Sequence, residues 1–250
     1  MLRYHAIKNS LASRILGTPL FGIAQRLTDW RWRFRSWCKG SFAQHGEDRF
    51  ILDYFPTGYV GTYVDVGANH PYKISNTFLL YKRKWRGVTI EPLPSLVALH
   101  EKLRPGDIQL NIAVGESPAE LEFYELFPSA LSTFDWESVK AQVETGEAIL
   151  LTTRLVSIRT LAQVCQTYLE GKSVDVVSID AEGYELPILR GIDWSILHPQ
   201  LFFLETGGER QDLDAIRSEL SSAGYREMTV LGANTVFERI CDRSGRIPNN

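Results

Sequence analysis

Cysteine is scarce in this chain, whose 250 residues include only Cys38, Cys165 and Cys241, all far apart in the sequence. An odd number of isolated cysteines provides neither a closed disulfide framework nor the paired spacing of a structural zinc site. We therefore expect neither kind of cross-linked scaffold. Isolated thiols are typical of a reducing compartment, so we expect a cytoplasmic protein.

Long apolar runs are also missing from the sequence. The longest apolar stretch near the start, residues 15–24, is interrupted by Gly17, Pro19 and Gly22, and it is too short to span a bilayer. It also lacks the small-residue cleavage pattern of a signal peptide. The sequence therefore predicts neither a transmembrane segment nor a secretory signal.

The two signs of charge nearly balance overall, but they are separated along the chain. A total of 27 lysines and arginines against 30 acidic residues leaves a net charge of -3, which does not indicate a nucleic-acid binder. Residues 1–40 contain eight basic residues against Asp29 alone, which is +7, so residues 41–250 carry −10. We therefore divide the chain into a basic arm, residues 1–40, and one domain, residues 41–250.

The basic arm combines apolar residues at helical spacing with a run in which aromatic residues and arginines alternate. That run consists of Trp30, Arg31, Trp32, Arg33, Phe34, Arg35 and Trp37. Aromatic rings beside arginines suit the headgroup region of a bilayer, so one interpretation is a peripheral membrane contact. The alternative, which we favour from the sequence, is a helical arm that packs on the domain or mediates self-association.

Beyond the arm, predicted strands and helices alternate, and the composition (44% hydrophobic, 23% charged) is that of an ordinary globular protein. The predicted strands are 59–66, 87–91, 107–114, 121–127, 152–158, 174–180 and 200–205, with two short ones around Val230 and Val236. The predicted helices are 74–84, 94–103, 161–169, 184–189 and 209–223. We therefore predict an α/β, Rossmann-like sheet of about seven mostly parallel strands, with helices on both faces and an N-terminal helical extension.

Polar residues follow the first two predicted strands, where ligands bind in sheets of this kind. The first strand ends in Asp65-Val66-Gly67-Ala68-Asn69, and Gly67 permits a tight turn that brings backbone close to a ligand. The second ends in Glu91-Pro92, 24 positions beyond Gly67. An acid at about this distance is the expected partner of ribose hydroxyls, since a carboxylate accepts two hydrogen bonds at once. Three residues after the third strand are expected to line an adenine pocket: Asn111, Ala113 and Val114.

The loop after the first strand distinguishes between two nucleotide cofactors. It holds one glycine, whereas a dinucleotide pyrophosphate requires the G-x-G-x-x-G pattern at a helix N-terminus. Asp65 would repel phosphates but suits a ligand that carries an amine and a sulfonium. The loop therefore favours S-adenosylmethionine over NAD, and an NAD oxidoreductase ranks last among the functions considered.

Four segments of the chain together resemble the FkbM family of methyltransferases. They are Ser41-Phe42-Ala43-Gln44-His45-Gly46-Glu47-Asp48, Tyr63-Val64-Asp65-Val66-Gly67-Ala68-Asn69, Ile90-Glu91-Pro92, and Ile179-Asp180-Ala181-Glu182-Gly183-Tyr184-Glu185 with Leu189 and Gly191 beyond it. The resemblance extends from about Ser41 to Gly208. It implies a class I methyltransferase fold and O-methylation, often of sugar or polyketide hydroxyls.

The chain departs from the commoner family pattern at two places. After Asn69 it continues with His70-Pro71-Tyr72 instead of Gly-Tyr, which resembles the branch of the family that has the Gln-x-Gly-Glu-Asp segment. The acid that ends the predicted strand 200–205, Glu205, is followed by Thr206 where the family often has histidine. A histidine base is therefore not expected at that position.

These patterns together predict which residues contact the cofactor. Gln44 and Glu47 precede the sheet and either fold over the cofactor or cap a helix that begins near Asp48. The predicted cofactor site is Gln44, Asp65, Gly67, Ala68, Asn69, Glu91, Pro92, Ala113 and Asp180.

The candidate catalytic groups are Asp180, Glu182, Glu205 and His70. An alcohol is a poor nucleophile until a base or a metal acts on it. One of these groups would be the base, or the three carboxylates would hold a divalent metal such as Mg²⁺, the less favoured option. Simpler roles stay open, namely Asp180 as a helix cap, Glu185 as an ion-pair partner of Arg190, and His70 as a structural loop residue.

The expected acceptor is a carbohydrate hydroxyl in a glycan, lipid-linked sugar or glycosylated metabolite, an expectation that comes from the resemblance. Five aromatic residues either line the acceptor pocket or pack in the core: Phe123, Tyr124, Phe127, Phe134 and Trp136. Two other functions compete with methyl transfer. They are a glycosyltransferase that uses a nucleotide sugar, and a non-catalytic binding module that keeps the methyltransferase fold.

Overall fold

The structure is a computed structural model, and it describes residues 28, 30–32, 34–169, 171–207 and 213–240. Most of the basic arm and the first residues of the predicted helix 209–223 lie outside this range, as does Cys241. Within it, residues 28, 30–32 and 34–39 are helical, in agreement with an N-terminal helical extension. Among the described residues, every helix is too short or too polar to cross a membrane.

A seven-stranded sheet forms the centre of the domain, in the order β3-β2-β1-β7-β8-β10-β9. Its strands are β1 (Thr62–Val66), β2 (Arg86–Ile90), β3 (Ile108–Leu110), β7 (Val176–Ile179), β8 (Leu201–Glu205), β9 (Tyr225–Leu231) and β10 (Asn234–Arg239). The first five pair in parallel, whereas β10 runs antiparallel to both β8 and β9. The strand order reverses between β1 and β7, so a crevice opens beyond their carboxyl ends.

Helices cover both faces of this sheet, as predicted. They are α1 (Glu47–Tyr54), α2 (Phe78–Lys82), α3 (Pro94–Leu103), α4 (Trp136–Glu144), α5 (Leu161–Tyr168), α6 (Glu185–Arg190) and α7 (Leu213–Ser222). Consecutive residues of a strand point to opposite faces. Val177 belongs to a buried cluster that includes residues of α5 and α6, while its neighbour Val176 belongs to another that includes residues of α1 and α2. Burial on both faces explains why these strands are apolar at nearly every position.

The predicted third strand, 107–114, divides into two strands that belong to different sheets. β3 stays in the large sheet, while β4 (Ala113–Val114) pairs with β6 (Ile149–Arg159), which also pairs with β5 (Ala119–Phe127). At the break, Asn111 donates from its side-chain amide to the carbonyl oxygens of Glu91 (3.0 Å) and Pro92 (2.9 Å). A single strand was therefore the wrong prediction, because these bonds turn the chain out of the large sheet.

Two helices differ from their predictions. The predicted helix 74–84 is limited to α2, because Ile74 has φ 54°, outside the helical region. Helix α4 was not predicted, although its start has a recognisable cap. Asp135 accepts the N–H of Glu137 (3.0 Å) and the hydroxyl of Ser138 (2.8 Å).

Candidate active site

A cleft of about 890 Å³ opens where the strand order reverses, beyond the carboxyl ends of β1, β2, β7 and β8. It brings together every residue of the predicted cofactor and catalytic sets, namely Gln44, Asp65, Gly67, Ala68, Asn69, His70, Glu91, Pro92, Ala113, Asp180, Glu182 and Glu205. Ile112 and Val114 line it too, whereas Asn111 does not. The adenine-pocket expectation was therefore wrong for Asn111, whose side chain instead holds the break between β3 and β4.

Gly67 places the loop after β1 in contact with two neighbouring strands. The N–H groups of Gly67 and Ala68 both donate to the carbonyl of Ile90, at 3.0 and 3.1 Å. Gly67 has φ 70°, and a Cβ there would overlap the carbonyl oxygen of Asp180. Only glycine satisfies both requirements, so the loop can pass between the ends of β2 and β7.

Glu91 holds the next residue of this loop. Its Oε2 accepts the N–H of Asn69 at 2.8 Å, and its Oε1 accepts the N–H of Leu93 at 2.9 Å. The side chain lies against the cleft with 6% of its surface exposed, and this burial raises the pKa of Glu91 to about 7. Each oxygen keeps a further lone pair, so the carboxylate can accept two ribose hydroxyls.

His100 also holds the loop after β1, a role that the sequence did not indicate. Its Nε2 lies 3.0 Å from the carbonyl oxygen of Asn69, and the ring is buried. Burial lowers the pKa of His100 to about 4, so the ring is neutral near pH 7. Because a carbonyl can only accept, Nε2 carries the proton and donates it to Asn69.

Asp65 belongs to a buried network centred on Arg104, a residue without any recognisable sequence motif. Thr77 donates its hydroxyl to Asp65 Oδ2, and Arg104 Nη1 lies 3.9 Å from the same oxygen. Arg104 also donates to Asp107 Oδ2 (2.8 Å) and to the hydroxyl of Tyr63 (2.7 Å). Burial raises the pKa of Asp65 despite Arg104. Both of these contacts use Oδ2, and the Asp65 side chain lines the cleft.

Three carboxylates converge at the ends of β7 and β8. Oxygens of Asp180, Glu182 and Glu205 all lie within 4.8 Å of one another. Glu182 has φ 51°, an unusual conformation for a residue other than glycine. Buried Glu185 holds this turn by accepting the N–H of Ala181 at 2.8 Å. The Glu185 carboxylate therefore holds this turn, a role beyond the ion pair with Arg190 that was left open from the sequence.

Burial and the neighbouring charge of Glu205 raise the pKa values of Asp180 and Glu182. Asp180 and Glu182 are open to water through the cleft, but protein atoms displace much of their hydration. This desolvation, and then the charge of Glu205, raises the pKa of Asp180 well above its ordinary value and that of Glu182 to about 7. In the described part of the chain, no lysine or arginine forms an ion pair with the cluster. Such a cluster is stabilised by taking up a proton or a divalent cation.

His70 lines the cleft, and backbone hydrogen bonds to Nδ1 fix the orientation of its ring. Its Nδ1 accepts the backbone N–H groups of Tyr72 (3.4 Å) and Lys73 (3.3 Å). A neutral ring that accepts at Nδ1 carries its proton on Nε2. This orientation favours His70 as a hydrogen-bond donor to a substrate over His70 as the base.

The cleft continues from the carboxylates along the small sheet, which consists of β4, β5 and β6. Phe123, Phe127 and Phe134 line this second part, which we call the aromatic lobe, together with Leu151. Tyr124 and Trp136 lie outside the cleft and pack against each other, with ring centroids 5.1 Å apart. The predicted aromatic set therefore divides into cleft-lining rings and rings of the outer surface.

The segment before α1 places Gln44 at the cleft. Asp48 Oδ2 accepts the N–H of Phe42 at 2.6 Å, and Glu47 Oε2 accepts the N–H of His45 at 2.8 Å. Glu47 is fully buried and also accepts from the side-chain amide of Asn234 (2.8 Å). Glu47 therefore fixes the segment to the sheet and is not part of a lid, whereas exposed Gln44 lines the cleft.

This fold and the loop after β1 define a class of protein, the Rossmann-like methyltransferases that use S-adenosylmethionine. The family model described as "Methyltransferase FkbM domain" matches residues 65–227. Because this match spans more than half of the chain, the chain belongs to the FkbM methyltransferase family. No curated protein matches the chain.

Several solved structures have a weak likeness to the chain. A TehB-like SAM-dependent methyltransferase from Corynebacterium glutamicum ATCC 13032 Kitasato is 14% identical, with a TM-score of 0.44 over 88% of this chain and 100% of that one. A precorrin-6y C5,15-methyltransferase from Geobacter metallireducens GS-15 is 10% identical, with a TM-score of 0.37 over 76% and 84%. The mitomycin 7-O-methyltransferase MmcR is 14% identical, with a TM-score of 0.33 over 78% and 53%.

Proposed function

We propose that this methyltransferase acts on a hydroxyl of a carbohydrate-containing acceptor. The observation that supports O-methylation most directly is the cluster of Asp180, Glu182 and Glu205 beside the aromatic lobe. A hydroxyl must lose its proton as it attacks, and carboxylates with raised pKa values are suited to take it. A neutral amine attacks through its own lone pair and would need such a base less.

The residues around β1 and β2 fit S-adenosylmethionine. Bound there, the cofactor supplies a methyl group activated by its sulfonium. Glu91 would accept the ribose hydroxyls, and the backbone of Gly67 and Ala68 would form the floor of the site. Asp65 would hold the cationic amine, and Ala113 would line the adenine pocket. Gln44 would cover the cofactor from the cleft rim.

Two roles remain for the carboxylate cluster, and they are chemically distinct. In the first, one of the three carboxylates removes the acceptor proton. In the second, Asp180, Glu182 and Glu205 would hold Mg²⁺, which would supply Lewis acidity to lower the pKa of the hydroxyl. The oxygen-only donor set fits Mg²⁺. His70 donates from Nε2 to the acceptor in either case.

The aromatic lobe supports a carbohydrate acceptor. The partly buried rings of Phe127 and Phe134, with Phe123 packed behind Phe134, offer surfaces on which the apolar faces of sugars can pack. Carboxylates at the junction of lobe and cofactor site accept hydrogen bonds from sugar hydroxyls. The two parts of the cleft therefore suit the two substrates.

Calorimetric titration with S-adenosylhomocysteine tests the cofactor site directly. Wild-type protein should bind with a Kd on the order of micromolar, and Glu91→Ala and Asp65→Ala should each weaken binding by more than about tenfold. Glu122→Ala, on the outer face of the small sheet, is the matched control. If the folded protein binds a nucleotide sugar but does not bind S-adenosylhomocysteine, the result would instead support a glycosyltransferase.

A screen of sugars and glycosides with labelled S-adenosylmethionine then tests the acceptor. A radiolabelled product that is stable to base and whose amines are unmodified would establish an O-methyl ether. Methyl transfer only to amines or carbon acids would contradict the proposal. Titration of Mg²⁺ into wild type and Asp180→Asn distinguishes a carboxylate base from a metal site. Binding of Mg²⁺ by the wild type but not by the variant would support the metal site.

A further inference from the structure

The N-terminal helix has an aromatic face that the domain does not cover. Trp30, Phe34 and Trp37 are 67%, 56% and 70% exposed, although each carries a large ring. The rings contact one another, with centroids 6.0 Å apart for Trp30 and Phe34 and 6.4 Å for Phe34 and Trp37. Spacings of four and three residues place them on one stripe of the helix, which we call the aromatic stripe.

The opposite side of the helix attaches to the domain. Trp32 packs on Phe42 (6.2 Å between centroids) and on Tyr72 (5.9 Å), and Ser36 is buried. At 100° per residue, Trp32 lies about 140–160° around the helix from the three rings of the stripe. The aromatic stripe is therefore held facing away from the domain.

Exposed arginines flank the aromatic stripe. Arg31 and Arg35 each follow a stripe residue, so they lie about 100° around the helix from Trp30 and Phe34. They belong to the basic arm, whose eight basic residues and Asp29 give it a charge of +7. Since the whole chain totals -3, the domain carries −10. An anionic surface would therefore attract the arm and repel the body.

We propose that the aromatic stripe docks this protein on an anionic lipid surface. Aromatic rings bordered by arginines suit the boundary between headgroups and acyl chains, where the rings leave water and the guanidinium groups meet phosphates. A second copy of the chain is the other conceivable occupant. A two-fold interface through the stripe would bring two arms of charge +7 together, and like charges repel.

The helix attaches close to the cleft, which gives membrane docking a consequence for the substrate. The ring of Tyr72, on which Trp32 packs, lies 4.4 Å from the ring of His70, which lines the cleft. A docked stripe would therefore hold the cleft near the bilayer. If the proposed carbohydrate specificity holds, a lipid-linked sugar is the acceptor form that this arrangement favours.

Vesicle flotation of the full chain tests the docking. Phosphatidylcholine vesicles that contain phosphatidylglycerol should bind wild type, and pure phosphatidylcholine should bind it much less. The variant Trp30→Ser/Phe34→Ser/Trp37→Ser should lose more than about tenfold in partitioning. Arg31→Gln/Arg35→Gln should lose about 25-fold, or about fivefold for each charge, and added salt should weaken wild-type binding.

Trp136→Ser, which removes an exposed ring from α4, is the control and should partition like wild type. Unchanged S-adenosylhomocysteine affinity, or an unchanged thermal melt if the chain binds none, shows that each variant is folded. Failure of wild type to bind anionic vesicles overturns the proposal, as does undiminished binding by the triple variant. A dimer in vesicle-free solution that the triple variant dissociates also overturns it, because the stripe would then be covered by a second copy.

Discussion

Gly67 and Asp180, at the ends of adjacent parallel strands, lie so close that a Cβ on Gly67 would overlap the carbonyl oxygen of Asp180. Gly67→Ala should therefore displace the loop after β1, abolish S-adenosylhomocysteine binding and lower the melting temperature. Gly146→Ala is a matched control, because Gly146 has a similar φ of 75° but no atom within 4 Å of the added Cβ. It should cost only about 1–2 kcal/mol of stability. Calorimetry that found equal effects of both substitutions would contradict the close contact.

Cofactor affinity should depend on pH through Glu91. Burial raises the pKa of Glu91 to about 7, and ribose hydroxyls donate more strongly to the ionised than to the protonated carboxyl. Affinity for S-adenosylhomocysteine should therefore rise with pH up to about 7 and then level off. Below pH 7 it should fall by up to about tenfold per pH unit. Titrations of wild type and Glu91→Gln check this, since the variant should be weaker and lose the dependence.

His100 should position the loop without touching the cofactor. His100→Leu removes the donor to the carbonyl of Asn69 and should weaken S-adenosylhomocysteine binding by about five- to tenfold. His100→Gln keeps a donor and should restore most of the affinity. Equal affinities of the two variants, measured by calorimetry, would show that only the volume of the ring matters.

Glu182 should affect methyl transfer more than cofactor binding. Glu182→Gln keeps the shape of the side chain but removes its charge, so turnover should fall by about 100-fold or more, whether the group is a base or a metal ligand. S-adenosylhomocysteine affinity should stay within about threefold of wild type. Steady-state kinetics with an acceptor from the screen provide the measurement. Turnover close to that of wild type would remove Glu182 from the mechanism.

Arg104 should be essential for the stability of the domain. Arg104→Leu leaves the buried carboxylates of Asp65 and Asp107 without their cationic partner, and should destabilise the fold by about 3–5 kcal/mol. Urea denaturation measures the difference. Arg226→Leu, which removes an exposed ion pair with Glu238, should cost less than about 1 kcal/mol and serves as the control. A similar loss in both variants would contradict the buried network.

Local patterns in the sequence were sufficient to predict most strands of the large sheet and the residues that follow β1, β2, β7 and β8. Buried parallel strands need apolar side chains on both faces, and the run from Val176 to Ile179 meets that need within the strand itself. The tight turn at Gly67 and the acid Glu91 were predictable for the same reason, since each requirement acts on one or a few neighbouring residues.

Tertiary structure decided which residues meet across long separations. Asp180 and Glu205 converge because β7 and β8 are parallel neighbours whose carboxyl ends lie at the same edge of the sheet. Asn111 turns β4 out of the sheet, and His100 and Arg104 support the loop and Asp65 through contacts 31 and 39 positions away in the chain. Such contacts leave no periodic pattern in the sequence, because they depend on where separate elements pack and not on the residues beside them.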